Sequence, residues 1–573
     1  VLPETQALYG FIIAILILIG FGILGIPRTE LTLSLGMFAI AAGLSVGISG
    51  ISAIGQGMAA SSGISSITEN DKMFGKSILF SVLPETQALY GFLIGVLILV
   101  GGGIIGGFKV GITTPIGIIA IGAALSAGFS AVSAIGQGMS AASGIKSVTE
   151  KPSMFGKSII FSIIPETQAL MGFLIAILLL IGSGIIGSAR AGLTISSGLI
   201  SIGAGVAVGL AAVSAVGQGY VVSSSIANVT RNAKMFGKSL LFSVLPQTQA
   251  LYGFLIAILL LVGGGLVGGI RTGLTTSIGL LAIGAGLAVG LSSMSAIGQG
   301  LVASSAVNAV SRNNKMFGKS ILFSVLPETQ ALYGFLIAII MLVSGGLIGT
   351  ATSGMITPMG IVAIGAAISV GFGAVSAIGQ GTSAASGVTA TSEKPSMFGK
   401  SIIFSIIPET QALMGFLIAI LMLIGAGLMG SVDVSITMAH AVVAIGAGFA
   451  VGMAAISAVG QGFAVSTSIN AVTQDAKMFA KSLLFSVIPQ TQALMGFLIS
   501  ILALIGAGLI GTLEMAMTTA NGLVAVGAGF AVGLGALSAV GQGFVISSAI
   551  TSVTQDKKMF GKGLLFSVLP QTQ

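Results

Sequence analysis

The 573 residues are 54% hydrophobic and only 6% charged, with a mean hydropathy of +1.11, which excludes a soluble globular chain of ordinary composition. The formal charge of +8 is not a nucleic-acid signal, because the basic residues sit in short loops between apolar stretches and act there as topology markers. The absence of cysteine rules out disulfides and thiolate metal sites. Apolar stretches of roughly 25 to 30 residues recur along the whole length, longer than the ~20 that span a bilayer as a helix. Strands of a membrane barrel would be shorter and alternating. The chain therefore reads as an all-α, multi-pass membrane protein.

In chain order, the opening "VLPETQ" lies inside what is elsewhere one long helix, and residues 1–26 read as a truncated outer helix. Hairpins follow at 32–107, 113–187, 194–268, 275–349, 356–430 and 438–511, and a truncated seventh at 520–573. No initiator Met or cleavable signal peptide is present, and both ends read as truncations of a longer array. Two motifs recur at a constant spacing of 81 residues. P-[E/Q]-T-Q places Glu4, Glu85, Glu166, Gln247, Glu328, Glu409, Gln490 and Gln571, and S-A-[I/V]-G-Q-G places Gln56, Gln137, Gln218, Gln299, Gln380, Gln461 and Gln542. Lys151 to Leu178 is repeated letter for letter at Lys394 to Leu421, so some copies are recent duplications.

Within one repeat, a helix from about Thr113 to Val148 meets the polar turn "TEKPS", and a second helix runs from about Met154 to Gly187. Of the 22 Lys and Arg, all but Arg28, Lys109, Arg190 and Arg271 lie around such turns, which by the positive-inside rule face the cytoplasm. First helices are rich in small residues, as in "AIGAGLAVGLSSMSAIGQG", and second helices carry the bulkier Leu, Ile and Phe. Small residues permit close helix approach. The expectation is a two-layer arrangement with first helices inside and second helices outside, forming part or all of a ring.

Gln56 and Glu85 are centred on Asn70 and Asp71 in the turn. Folding there brings both to the same depth, roughly 21 Å from the turn at ~1.5 Å per residue. A carboxylate at that depth costs about 2.5 to 3.5 kcal/mol on insertion scales and usually marks an ion or proton pathway. At about 100° per residue, Glu85 faces one flank of its helix while Thr86, Gln87 and Tyr90 face the other. Each outer helix should then supply the acid of one site and the Thr, Gln and Tyr of the next.

The repeats agree with sites that take these groups from the preceding hairpin. Glu85, Glu166, Glu328 and Glu409 follow Tyr9, Tyr90, Tyr252 and Tyr333, whereas Gln247, Gln490 and Gln571 follow Met171, Met414 and Met495. The Gln hairpins also carry an aromatic two residues after the inner Gln (Tyr220, Phe463, Phe544). One carboxylate with hydroxyls and amide oxygens suits a desolvated Na⁺, since divalent hard ions recruit more carboxylates; H⁺ is the alternative. The proline before each acid frees a backbone carbonyl as a further ligand. The G-Q-G stretches lie in membrane helices and are no phosphate loop. His440 is read as incidental, and Glu30, Asp433 and Glu514 as solvated outer-loop residues.

At these residues the chain resembles the membrane-rotor proteolipid (K or c subunit) of archaeal and V-type ATPases, in particular Na⁺-translocating members, over essentially its whole length. The resemblance implies a rotor ring that turns against a stator membrane subunit, touches the central stalk through its polar turns, and carries Na⁺ (or H⁺) with no other cofactor. It implies a non-catalytic subunit, with ATP chemistry on other subunits, in a prokaryotic, archaeal cell membrane. It further implies Na⁺ ligands Gln56 and Glu85 with Thr5, Gln6, Tyr9 and the carbonyl of Leu2. The equivalent sets are Gln137, Glu166, Thr86, Gln87 and Tyr90; Gln299, Glu328, Thr248, Gln249 and Tyr252; and Gln380, Glu409, Thr329, Gln330 and Tyr333. Glu4 lacks its inner helix, and Gln247, Gln490 and Gln571 read as substituted, non-ionisable sites. A multi-span transporter would more typically have one or two central sites and divergent halves, and a structural scaffold would need no embedded acids.

Overall fold

The computed structural model describes residues 2–26, 31–106, 111–349, 354–430, 436–511 and 517–572. Arg28, Glu30, Lys109, Asp433 and Glu514 lie outside the described residues. Within them the chain is a series of helical hairpins, with 14 helices long and apolar enough to cross a membrane. The second hairpin is representative. Its first helix spans Thr114–Glu150 and its second Pro152–Gly182, so the turn narrows to Lys151. Both helices extend further toward the turn than the sequence suggests, because Pro152–Met154 forms a 3-10 turn that starts the second helix almost at once. That helix also stops at Gly182 rather than near Gly187, since Gly184 adopts a left-handed φ of +73° that a helix cannot accommodate.

First helices pack on the first helices of the hairpins before and after them, and each second helix packs outside its own first helix. The first helices of the central hairpins are the more deeply buried layer. The hairpins stand side by side in chain order, and the last, with a described neighbour on one flank only, is the least covered.

The G-Q-G stretch sets the spacing between hairpins. A Cβ on Gly136 would lie 1.8 Å from the carbonyl oxygen of Ala215 in the next hairpin, and one on Gly138 would lie 2.1 Å from that of Gly55 in the preceding hairpin. The two glycines therefore touch opposite neighbours, and the glutamine between them is held at the closest approach of three helices. At the ends of the row, Gly57 and Gly541 meet nothing within 4 Å.

Near the turns a second contact repeats. The Phe155 ring receives the edge of Phe80 at 6.0 Å and the ammonium of Lys76 at 5.7 Å, both from the preceding hairpin. The same latch joins Phe236 to Phe161 and Lys157 and continues to Phe560. Such cation–π contacts are worth about 0.5–1 kcal/mol at exposed sites. At the opposite ends of the outer helices, Arg190 donates to the carbonyls of Gly182, Gly265, Leu266 and Gly268. Its charge thus lies on the free C-terminal carbonyls of two adjacent helices, where a cation is favoured. The His440 Nδ1 accepts from the backbone N–H of Thr437 at 3.0 Å and completes a helix N-cap.

Gly217→Ala should lower the thermal unfolding temperature of the protein in detergent, since its Cβ would sit 1.9 Å from the Ala296 carbonyl oxygen and overpacking costs about 1–3 kcal/mol. Gly237→Ala, with nothing within 4 Å, should leave it unchanged or slightly higher. Equal effects would contradict the close-approach account.

Candidate ion-binding interfaces

Both helices of a hairpin are broken at the depth of the candidate site. The first helix tightens at Ala131 and Val132, whose N–H groups bond three residues back to Gly128 and Phe129, and it resumes at Ser133 one turn before Gln137. The second helix breaks at Ile164–Glu166, a 3-10 turn that contains Pro165. Proline supplies no N–H, so the carbonyls of the preceding turn are released from the helix ladder. Backbone and side-chain oxygens therefore converge where an uninterrupted helix would expose none.

The structure brings together the residues expected from sequence, and it does so across the interface between consecutive hairpins. At the first site, Gln6 Nε2 donates to Gln56 Oε1 at 2.8 Å and Gln56 Nε2 donates to Glu85 Oε2 at 3.0 Å. The Tyr9 hydroxyl donates to the other carboxylate oxygen, Glu85 Oε1, at 2.7 Å. The Thr5 hydroxyl sits 3.0 Å from the Leu2 carbonyl. The same chain of contacts recurs for Glu166 with Gln137, Gln87 and Tyr90, and for Glu328 with Gln299, Gln249 and Tyr252. Glu409 repeats it with Gln380, Gln330 and Tyr333, and there Thr329 also donates to the carboxylate at 2.8 Å. Glu4 is exposed.

The glutamine interfaces are wired differently. The inner amide turns from the outer helix's side chain to its backbone: Gln218 Nε2 donates to the Ser243 carbonyl at 2.9 Å, Gln461 to Ser486 at 3.0 Å and Gln542 to Ser567 at 2.8 Å. Each of these carbonyls lies three residues before the proline. At the last interface the Gln571 amide donates to the Ile488 carbonyl at 3.2 Å and to the Thr491 hydroxyl. These two atoms correspond to the Leu2 carbonyl and Thr5 hydroxyl, so a neutral N–H group occupies ground that faces a carboxylate elsewhere. The aromatics of the glutamine hairpins do not enter the sites. Tyr220 is 38% exposed and Phe544 59% exposed, roughly 200° around the helix from the buried glutamine, and Phe463 stacks on Phe544 at 5.1 Å.

The sequence profile of the ATP synthase C-subunit family matches residues 40–98, 121–179, 202–260, 283–341, 364–422, 445–503 and 526–573. The chain belongs to this family. Among curated relatives, the A-type ATP synthase subunit K of Methanocaldococcus jannaschii is 43% identical over 227 residues, covering 39% of this chain and 95% of the relative. The V-type sodium ATPase subunit K of Enterococcus hirae is 35% identical over 133 residues, 23% of this chain and 81% of the relative. The 16 kDa proteolipid of the V-type proton ATPase of Rattus norvegicus is 28% identical over 133 residues, 22% of this chain and 82% of the relative. No solved structure matches the chain.

Each of the profile matches before the last ends within an outer helix beyond the proline break, so every such match takes in both the inner-glutamine and the acid position of its repeat. One group escaped sequence reasoning. The ring of each site tyrosine rests on a phenylalanine of the helix that carries the acid: Tyr9 on Phe92 at 5.1 Å, Tyr90 on Phe173 at 5.1 Å, Tyr252 on Phe335 at 5.1 Å and Tyr333 on Phe416 at 5.0 Å. Such pairs add about 0.5–1.5 kcal/mol and aim the phenol at the carboxylate. Phenylalanine also stands at this position where methionine replaces the tyrosine, so its occurrence alone carried no signal.

Tyr252→Phe removes the hydroxyl that covers Glu328 and should raise the labelling rate of Glu328 by a hydrophobic carbodiimide by about three- to tenfold, the worth of one neutral hydrogen bond. Peptide mass spectrometry would read Glu166 as an internal control. An unchanged rate at Glu328 would show that the phenol does not hold the carboxylate.

Proposed function

We propose that this chain is the ion-carrying rotor subunit of a rotary A/V-type ATPase or ATP synthase, with Na⁺ bound between consecutive hairpins at Glu85, Glu166, Glu328 and Glu409. The observation that carries this reading is the tyrosine-to-carboxylate bond across every complete glutamate interface, paired with methionine at every glutamine one. A carboxylate among apolar helices is tolerated when a cation or proton neutralises it. An ion-loaded site can therefore face lipid, while an empty, charged one needs a polar partner. Rotation past a stator membrane subunit would supply that partner once per passage, and the ion would leave and reload there.

The donor set favours Na⁺. Around the first carboxylate stand the Thr5 and Tyr9 hydroxyl oxygens, the Gln6 and Gln56 amide oxygens and the Leu2 carbonyl, all neutral oxygen ligands that would be superfluous for a bare proton. They balance a single positive charge with a single carboxylate. The Enterococcus hirae relative, named as a sodium ATPase subunit, supports the same choice, and the rat relative, named for a proton ATPase, keeps H⁺ as the second reading. The subunit itself performs no ATP chemistry. Its lysine-rich turns would face the cytoplasm of a prokaryotic, archaeal cell and meet the central stalk, and further repeats or copies of the chain would complete the ring. Gln247, Gln490 and Gln571 cannot ionise, so the rotor would move fewer ions per turn than it has hairpins.

At fixed pH, Na⁺ should slow carbodiimide labelling of Glu85, Glu166, Glu328 and Glu409. Labelling indifferent to Na⁺ but suppressed at high pH would instead identify a proton rotor. The double substitution Gln247→Glu with Met171→Tyr should add one Na⁺-protected carboxylate, and Gln247→Glu alone should give one that Na⁺ protects several-fold less well. Protection that is identical with and without the tyrosine would remove the phenol from the ion site.

A further inference from the structure

One turn before its glutamine, every first helix carries a serine, and these serines fall into two groups. Ser52, Ser133, Ser214, Ser295 and Ser376 are fully buried, and their hydroxyls have no hydrogen-bond partner. In the last two repeats the equivalent hydroxyls are engaged: Ser457 donates to Gln411 Oε1 at 2.7 Å and Ser538 to Gln492 Oε1 at 3.1 Å. The acceptor is the outer-helix glutamine supplied by the preceding hairpin, which is Gln6 for Ser52 and Gln87 for Ser133.

That same amide oxygen has a second candidate donor, the neighbouring threonine. At the five interfaces with a partnerless serine, the threonine hydroxyl lies within reach of it, at 3.3 Å for Thr5, 3.4 Å for Thr86, 3.1 Å for Thr167, 3.0 Å for Thr248 and 3.2 Å for Thr329. These five threonines share the proton with the backbone carbonyl three residues before them, at 2.9–3.0 Å, whereas at the two interfaces with an engaged serine Thr410 and Thr491 give it to that carbonyl alone, of Ile407 and Ile488, both at 2.8 Å. Across the seven interfaces the serine engages the amide only where the threonine does not reach it, and at one of the other five Thr329 also reaches the Glu409 carboxylate at 2.8 Å. A hydroxyl has one proton to give. When the threonine shares it with the amide the serine has no partner, and when the threonine commits it to the backbone the serine takes the amide.

We infer that Ser52, Ser133, Ser295 and Ser376 are positioning residues of the ion sites, which take over the glutamine oxygen when an ion draws the threonine oxygen inward. A threonine that ligates a cation must point its proton away from the ion, onto the backbone carbonyl behind it. The amide oxygen then loses its donor, and the serine hydroxyl supplies the replacement. The glutamine pair stays aligned with the carboxylate, and a buried hydroxyl that is unpaired in the empty site becomes paired in the loaded one. The difference favours the loaded state. This inference rests on the ion-carrying reading, and the serine touches neither the ion nor the carboxylate.

Alanine at these positions removes a hydroxyl that bonds nothing in the empty arrangement, so the empty ring should lose no stability. In the purified ring carrying Ser52→Ala, Ser133→Ala, Ser295→Ala and Ser376→Ala, the Na⁺ concentration that half-protects the glutamates from carbodiimide at fixed pH should rise about three- to tenfold. The labelling rate without Na⁺ should not change. Ser214→Ala, at the equally buried position facing Gln247, should leave both quantities as in the wild type. An unchanged half-protecting concentration in the fourfold variant, or an equal rise in the Ser214→Ala control, would overturn the inference while leaving the ion sites in place. Absence of Na⁺ protection in the wild type would instead overturn the ion reading, and the inference with it.

Discussion

The constraint on which the rest of this structure depends is the cost of holding a carboxylate and its polar company inside an apolar bilayer. Water is absent there, so every donor and acceptor must find its partner within the protein. The molecule meets this by placing the acid at a junction of three helices from two hairpins, each broken or thinned at the same depth. Pro84 breaks the outer helix, the tightened turn before Ser52 breaks the inner one, and Gly55 lets the backbone of the next hairpin close in beside Gln56. The site belongs to the interface and not to a hairpin. This is why a chain of fused hairpins can lose the acid in one repeat and must then adjust residues contributed by the repeat before it.

The glutamine interfaces show how that adjustment works physically. Removing the charge from Glu85's equivalent at Gln247 leaves the inner Gln218 amide without its anionic acceptor. It turns to the Ser243 carbonyl, one of those that Pro246 helps to release. No buried amide is stranded, and the tyrosine, whose hydroxyl would have lost its carboxylate, gives way to the flexible and apolar Met171. The substitution is therefore a matched set across the interface: neutral side chain, redirected amide and absent phenol. Gln571 carries the logic furthest, since its own N–H group fills the space before the Ile488 carbonyl.

Much of this was legible in the sequence because the constraint leaves a periodic trace. The 81-residue spacing, the turn midway between Gln56 and Glu85, and the co-variation of Tyr with Glu and of Met with Gln together place the acid, its amides and its phenol on the correct hairpins. What the sequence did not disclose is whatever does not vary between repeats. Phe92 and its equivalents support the tyrosines but stand in every copy, so they carry no contrast. The Lys76 and Phe155 latch likewise looks like an ordinary basic turn until the neighbouring hairpin is in place. Tyr220, Phe463 and Phe544 are the opposite case: they do vary with the glutamine, yet helix geometry turns them away from the site. Ser52 was unreadable for another reason, because a hydroxyl's role depends on which of two acceptors holds its neighbour's proton.

The central claim is that ions bind at the interfaces where glutamate meets tyrosine and nowhere else along the row. An experimental structure of the assembled ring in saturating Na⁺, at a resolution that shows bound ions, tests it most directly. The account predicts ion density between the carboxylates of Glu85, Glu166, Glu328 and Glu409 and the threonine, glutamine and tyrosine of the preceding hairpin, with none at Gln247 or Gln490. Density of equal strength at the glutamine interfaces, or empty glutamate interfaces in saturating Na⁺, would contradict it.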